Sequence, residues 1–157
     1  MASWRPAVAG GLAFVVSMAA EVGVLAAIGG EGRLPIMPVL VAPLAEEGAK
    51  RLAAQGLSAT FGVTGLGFGV IEGLLKLLEW GPGALPGAVA SLLQHWAYGR
   101  WMERAGFWIA LGLHAAFNAL SFVPVPSWPW MGLMPPLLAA LLLAASFRGK
   151  FPSPGGR

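Results

Sequence analysis

The sequence predicts an all-α protein, a polytopic transmembrane bundle of about six short-looped helices enclosing a polar chamber within the membrane. Three observations predict it. Hydrophobic residues make up 57% of the 157 residues and charged residues 11%, whereas soluble domains carry about a quarter charged. A chain this short buries at best about two thirds of its unfolded surface, so that many apolar side chains cannot all hide in one soluble core. The apolar residues also fall in runs near the roughly 20 needed to cross about 30 Å of hydrocarbon, and acids, imidazoles and an amide recur inside those runs at a common depth.

Six runs are expected to be helical: 7–30, 34–57, 59–80, 84–101, 105–123 and 130–147. The first is long for a signal peptide, carries Glu21 and has no small-residue cleavage site ahead of a soluble domain, so it is expected to be retained. Glu21 could cap, gate or pair with Arg51. The second run holds Glu46, Glu47, Lys50 and Arg51. Four charges near the bilayer centre would together cost on the order of 10 kcal/mol, so this helix needs neighbours, water or both. Lys50 stands one turn after both glutamates and can pair with either. Pro43 suits a first helical turn, which would place the two glutamates near the start of a broken or kinked helix.

In the third run Gly65, Gly69 and Gly73 recur every fourth residue, a smooth face for close helix packing, and Glu72 lies in the same stretch. It reads either as a partnered carboxylate in a packing seam or as a second functional acid. Lys76 and Glu79 near the end of this run are expected to snorkel or pair. The chain's two histidines, His95 and His114, fall in the fourth and fifth runs, and Asn118 follows His114 by one turn on the same face. Pro124, Pro126 and Pro129 with Trp128 and Trp130 form an aromatic turn suited to the interface before the sixth run. Residues 1–147 are thus expected to be one transmembrane domain, and 148–157 a disordered tail.

In a six-span arrangement Arg5, Lys50, Arg51, Arg100, Arg104, Arg148, Lys150 and Arg157 share one side, with only Arg33 and Lys76 toward the other. The positive-inside rule then puts both termini in the cytoplasm. Because the basic residues sit singly or in pairs at the ends of apolar runs, the net charge of +3 marks topology and not a nucleic-acid surface. The absence of cysteine excludes disulfides, thiolate metal sites and a cysteine nucleophile.

Glu46, Glu72, His114 and Asn118 each lie roughly 9 to 13 residues from the cytoplasmic end of their runs, roughly 14 to 20 Å deep, and His95 reaches nearly the same plane from the opposite end. Acids, two imidazoles and an amide at one level are what hydrolysis inside a membrane requires. A lone buried histidine is more often a hydrogen-bonded core residue, but two of them beside buried acids favour a functional chamber. Glu46, His95 and His114 could also bind zinc with one position open for water. The same groups could instead relay protons or bind a cation in a small transporter, although the two halves of the chain show no repeat of the kind transporters carry.

Read in order, Glu46-Glu47-x-x-Lys50, Gly67-Phe68-x-x-x-Glu72, a histidine in an apolar helix and His114-x-x-x-Asn118 resemble the motifs of the PrsW intramembrane proteases, within the wider CAAX-protease and bacteriocin-processing superfamily. The resemblance spans about 45–118. It implies an intramembrane peptidase of a prokaryotic plasma membrane that acts on membrane proteins or membrane-associated peptides. It further implies Glu46 as general base on a water held by His95, His114 and Asn118 as oxyanion donors, Glu47 and Lys50 as orienting groups, and Phe68 as a supporting residue. Such a mechanism runs with no cofactor or, in a variant form, with zinc.

Overall fold

The computed structural model describes residues 4–28, 36–122 and 131–148. Among them it is all-helical, with six α-helices: α1 (Arg5–Ala27), α2 (Ala42–Gly56), α3 (Phe61–Trp80), α4 (Leu85–Ala105), α5 (Phe107–Leu120) and α6 (Met134–Phe147). Arg33, the aromatic turn 124–130 and the tail beyond Arg148 lie outside the described residues.

Proline and glycine punctuate the helices as the sequence suggests. Proline stands in the first turn of α1, α2, α4 and α6, and in α1, α4 and α6 its missing N–H leaves no bond of the α-helix unmade. α3 and α4 end on Gly81 and Gly106, at φ of 72° and 93°, where a side chain would be strained. A π-helical turn over Met37–Val41 runs directly into α2, so the irregularity expected around Pro43 falls one turn before the glutamates.

The fourth run was expected to stop at Trp101, but α4 continues to Ala105. Its last charges have partners, which removes the reason to end the helix there. Glu103 Oε1 accepts the backbone N–H of Gly62 at 2.8 Å, Arg100 donates to Glu103 Oε2 at 2.8 Å, and Arg104 donates to the carbonyl of Ser146.

α3 and α4 form the centre, with α1 and α2 on one side and α5 and α6 on the other. The glycine seam lies between the two central helices. A Cβ on Gly65 would stand 2.2 Å from the His95 carbonyl oxygen, one on Gly69 2.7 Å from that of Ser91, and one on Gly73 2.9 Å from that of Ala88. On another face of α3, a Cβ on Gly10 of α1 would stand 2.9 Å from the Gly67 backbone. The core is accordingly built of small residues around a few rings. Ala9, Ala13, Ala49 and Ala53 pack on Phe68 on one side, and Tyr98, Met102 and Ala110 pack together on the other.

Among the described residues two helices, α1 and α3, are long and apolar enough to cross a membrane. α5 and α6 are apolar but have 14 residues each, about 21 Å of helix.

Candidate active site

The site forms where α2, α3, α4 and α5 converge. α2 contributes Glu46, Glu47 and Lys50. The α3–α4 seam brings Glu72 against His95, and α5 presents His114. Of the residues expected at one level, Glu46, Glu72, His95 and His114 come together here, joined by Glu47 and Lys50.

Its hydrogen bonds form one connected network. Lys50 Nζ donates to Glu47 Oε1 at 2.5 Å and to His95 Nδ1 at 3.0 Å. His95 Nε2 lies 2.5 Å from Glu72 Oε2, while Lys76 pairs with the other Glu72 oxygen at 2.7 Å and donates to Ser91 Oγ at 2.6 Å. His114 Nδ1 lies 2.8 Å from Glu47 Oε1. Lys50, at 1% exposure, and Glu47, at 0%, thus form a fully buried pair, an arrangement tolerable only with further hydrogen bonds around it.

Donor and acceptor chemistry assigns the two imidazole tautomers. An ammonium can only donate, so His95 Nδ1 is the acceptor and Nε2 carries the proton that Glu72 receives. An ionised carboxylate can only accept, so His114 Nδ1 carries its proton toward Glu47 and Nε2 is left with a free lone pair. The two histidines are therefore held in opposite tautomers.

Glu46 stands apart from this network. Its Oε2 is buried with no hydrogen-bond partner, and it lies 3.7 Å from His95 Nε2, 3.9 Å from His114 Nε2 and 4.0 Å from Lys50 Nζ. Those separations are too long for direct bonds but suit one small bridging species. Glu46, His95 and His114 each offer an atom within 4.8 Å of the others, a possible metal-binding group. Two imidazoles and a carboxylate are a zinc donor set, and the Glu47 contact to His114 Nδ1 is the usual outer support for such a ligand. His95 fits less readily, because its Nε2 is directed to Glu72.

Aromatic rings line the cluster. Lys50 Nζ sits 4.5 Å from the centre of the Phe68 ring, which also packs on His95 at 4.8 Å, so Phe68 supports both. Tyr98 stacks on His114 at 4.5 Å. It is the chain's only tyrosine, one turn from His95 in an apolar helix, and that singularity was the signal that could have found it.

Two expectations take a different form. Asn118 Nδ2 donates to the Pro38 carbonyl at 2.8 Å, which fastens the π-helical turn ahead of α2 to α5. Glu21 does not pair with Arg51, whose exposed guanidinium lies 5.5 Å from the Phe107 ring. Arg51 follows Lys50 directly and so faces about 100° away from it around α2. Glu21 instead lines a cavity together with Glu46 and Glu72.

No family model, no curated protein and no solved structure matches this chain.

Proposed function

We propose that the chain is an intramembrane protease in which Glu46 activates a water for attack on a peptide carbonyl. The observation that carries this reading is the buried, unpartnered Glu46 oxygen between two imidazole Nε2 atoms at 3.7 and 3.9 Å. A water bridging Glu46 Oε2 and His114 Nε2 donates one proton to each, since both are acceptors. Its oxygen forms the bond to the carbonyl carbon as Glu46 takes the proton. Collapse then breaks the C–N bond and returns that proton to the leaving nitrogen. General-base help of this kind is worth about 10²–10⁴ in rate.

The nearest donor with an N–H to spare is Lys50 Nζ, 4.0 Å from Glu46 Oε2, because Glu47 and His95 take two of its three protons and the single His95 N–H is held by Glu72. In this reading it stabilises the oxyanion, at about 3 to 4 kcal/mol for a well-aimed donor. His114 is acceptor and orienter of the water, Glu47 and Glu72 hold the two rings, and Asn118 is a positioning residue acting through Pro38.

The setting is a six-span bundle in a prokaryotic plasma membrane, with both termini cytoplasmic and a membrane-protein or membrane-associated peptide as substrate. Support comes from the outward apolar surface. Val15, Val22, Leu78 and Leu141 are more than half exposed, in helices from both sides and the centre of the bundle, and lipid is the solvent that accepts such a surface. The two short apolar helices would cross with local thinning of the bilayer.

A zinc-dependent form of the same protease is the second reading, favoured by the clustering of Glu46, His95 and His114 ligand atoms within 4.8 Å. A bound zinc would supply an activated water, and the chain would contribute Glu47 to orient His114.

The test is reconstitution of the purified protein in vesicles with membrane-spanning peptides, reading cleavage by mass spectrometry and proton or cation flux in parallel. New termini that incorporate oxygen from labelled water, lost with Glu46→Gln, support hydrolysis. Flux without cleavage would replace this reading with a transporter.

A further inference from the structure

A cavity of about 240 Å³ connects Glu46 with the surface along the line where α1 meets α3. Its walls carry Phe14 and Glu21 from α1 and Glu72, Lys76 and Glu79 from α3, with Glu46 at its inner end. The α3 positions climb from the level of the cluster toward Trp80, and a second cavity of about 360 Å³, lined by Lys76, Glu79 and Trp80, adjoins it there. The passage therefore leads from the buried, unpartnered Glu46 oxygen to the end of the bundle remote from Arg100 and Arg104.

The charges along the passage are unbalanced. Its lining holds four glutamates and one lysine. The lysine is taken up, because Lys76 is held by Glu72 at 2.7 Å and by Ser91 at 2.6 Å. Neither Glu21 nor Glu79 has an ion-pair or hydrogen-bond partner among the described residues. Glu21 is half-buried within the apolar α1, where an isolated carboxylate is unfavourable and a cation would be welcome.

We propose that this cavity is the substrate's way into the site, open at the Trp80 end, and that Glu21 and Glu79 select a peptide bearing a lysine or arginine side chain. The apolar part of the wall, with Phe14 and Leu75, suits the methylene stem of such a side chain, while the carboxylates meet its charged head. Six-span topology turns the Trp80 end away from the cytoplasm. The proposal rests on the protease reading for the fate of the peptide and on the cavity alone for its binding.

Two membrane-spanning peptides identical except for lysine or norleucine near the bond cleaved decide it. Cleavage is compared between the wild-type protein and the Glu21→Gln, Glu79→Gln double variant, and binding of fluorescent versions is measured on the Glu46→Gln protein. The wild type is expected to favour the lysine peptide by at least about tenfold in kcat/KM, as is typical for a close charge pair, and the double variant to lose that preference. The Glu46→Gln protein is expected to bind the lysine peptide at least about tenfold more tightly. Equal binding and equal cleavage of the two peptides would overturn the proposal while leaving a protease. Selective binding with no cleavage by the wild type would keep the cationic site and remove the protease.

Discussion

His114 Nδ1 meets Glu47 Oε1 at 2.8 Å across the α5–α2 junction, and this bond leaves the opposite nitrogen of the ring bare toward Glu46. The same Glu47 oxygen receives Lys50 at 2.5 Å, and Lys50 in turn fixes His95 the other way round. One buried ion pair thereby gives two identical side chains different chemical roles.

The opposite tautomers can be read by nitrogen NMR of protein labelled at histidine. His95 is expected to carry its proton on Nε2 and His114 on Nδ1. Lys50→Met should release His95 from its fixed tautomer. It should also destabilise the protein by about 3 to 5 kcal/mol in detergent unfolding, because Glu47 is left buried without its cation. Two histidines sharing one tautomer in the wild type would contradict the network.

The α3–α4 seam predicts sharp position dependence for glycine replacement. Gly65→Ala sets a methyl group against the His95 carbonyl and should destabilise by about 1 to 3 kcal/mol or more, displacing His95 with it. Gly87→Ala, with open space around its Cβ, should be neutral or slightly stabilising. Thermal unfolding of both variants in one detergent checks the contrast, and equal effects would argue against the packing described.

Glu103 acts as a cap supplied from a neighbouring helix. α3 has no side-chain cap of its own at Thr60, and Glu103 accepts the Gly62 N–H in its place. Glu103→Ala should lower stability by about 0.5 to 2 kcal/mol, the ordinary worth of a cap. Amide exchange should rise first in the opening turn of α3. Unchanged exchange there would show that the contact contributes nothing.

Metal content separates the two forms of the proposed chemistry. Elemental analysis of detergent-purified protein is expected to find no stoichiometric zinc, since His95 Nε2 is committed to Glu72 as a donor. Near one zinc per chain, lost in both His95→Ala and His114→Ala, would require His95 to leave Glu72 and would favour the zinc-dependent reading.

The helices were legible because apolar runs bounded by glycine, proline and charge report hydrogen-bonded segments directly. The seam was legible too, since a four-residue glycine period fixes one face of α3 whatever it meets. The end of α4 was not, because hydropathy counts Arg100, Glu103 and Arg104 as an interface, whereas Gly62 and Ser146 give two of them partners. Within the site, the Lys50–Glu47 pair followed from spacing along one helix. Its contact with His95 joins residues 45 apart and depends on how α2 and α4 pack, which no local pattern encodes. Asn118 shows the same limit. Its alignment with His114 was correct, but its amide serves a backbone carbonyl 80 residues earlier.

The most direct measurement of the central claim is cleavage of a reconstituted membrane-spanning peptide by the wild-type protein and by Glu46→Gln at matched folding. The wild type is expected to cleave specifically, and the variant to lose about 10²–10⁴ in kcat. Full activity of Glu46→Gln would remove Glu46 from the chemistry and contradict that claim.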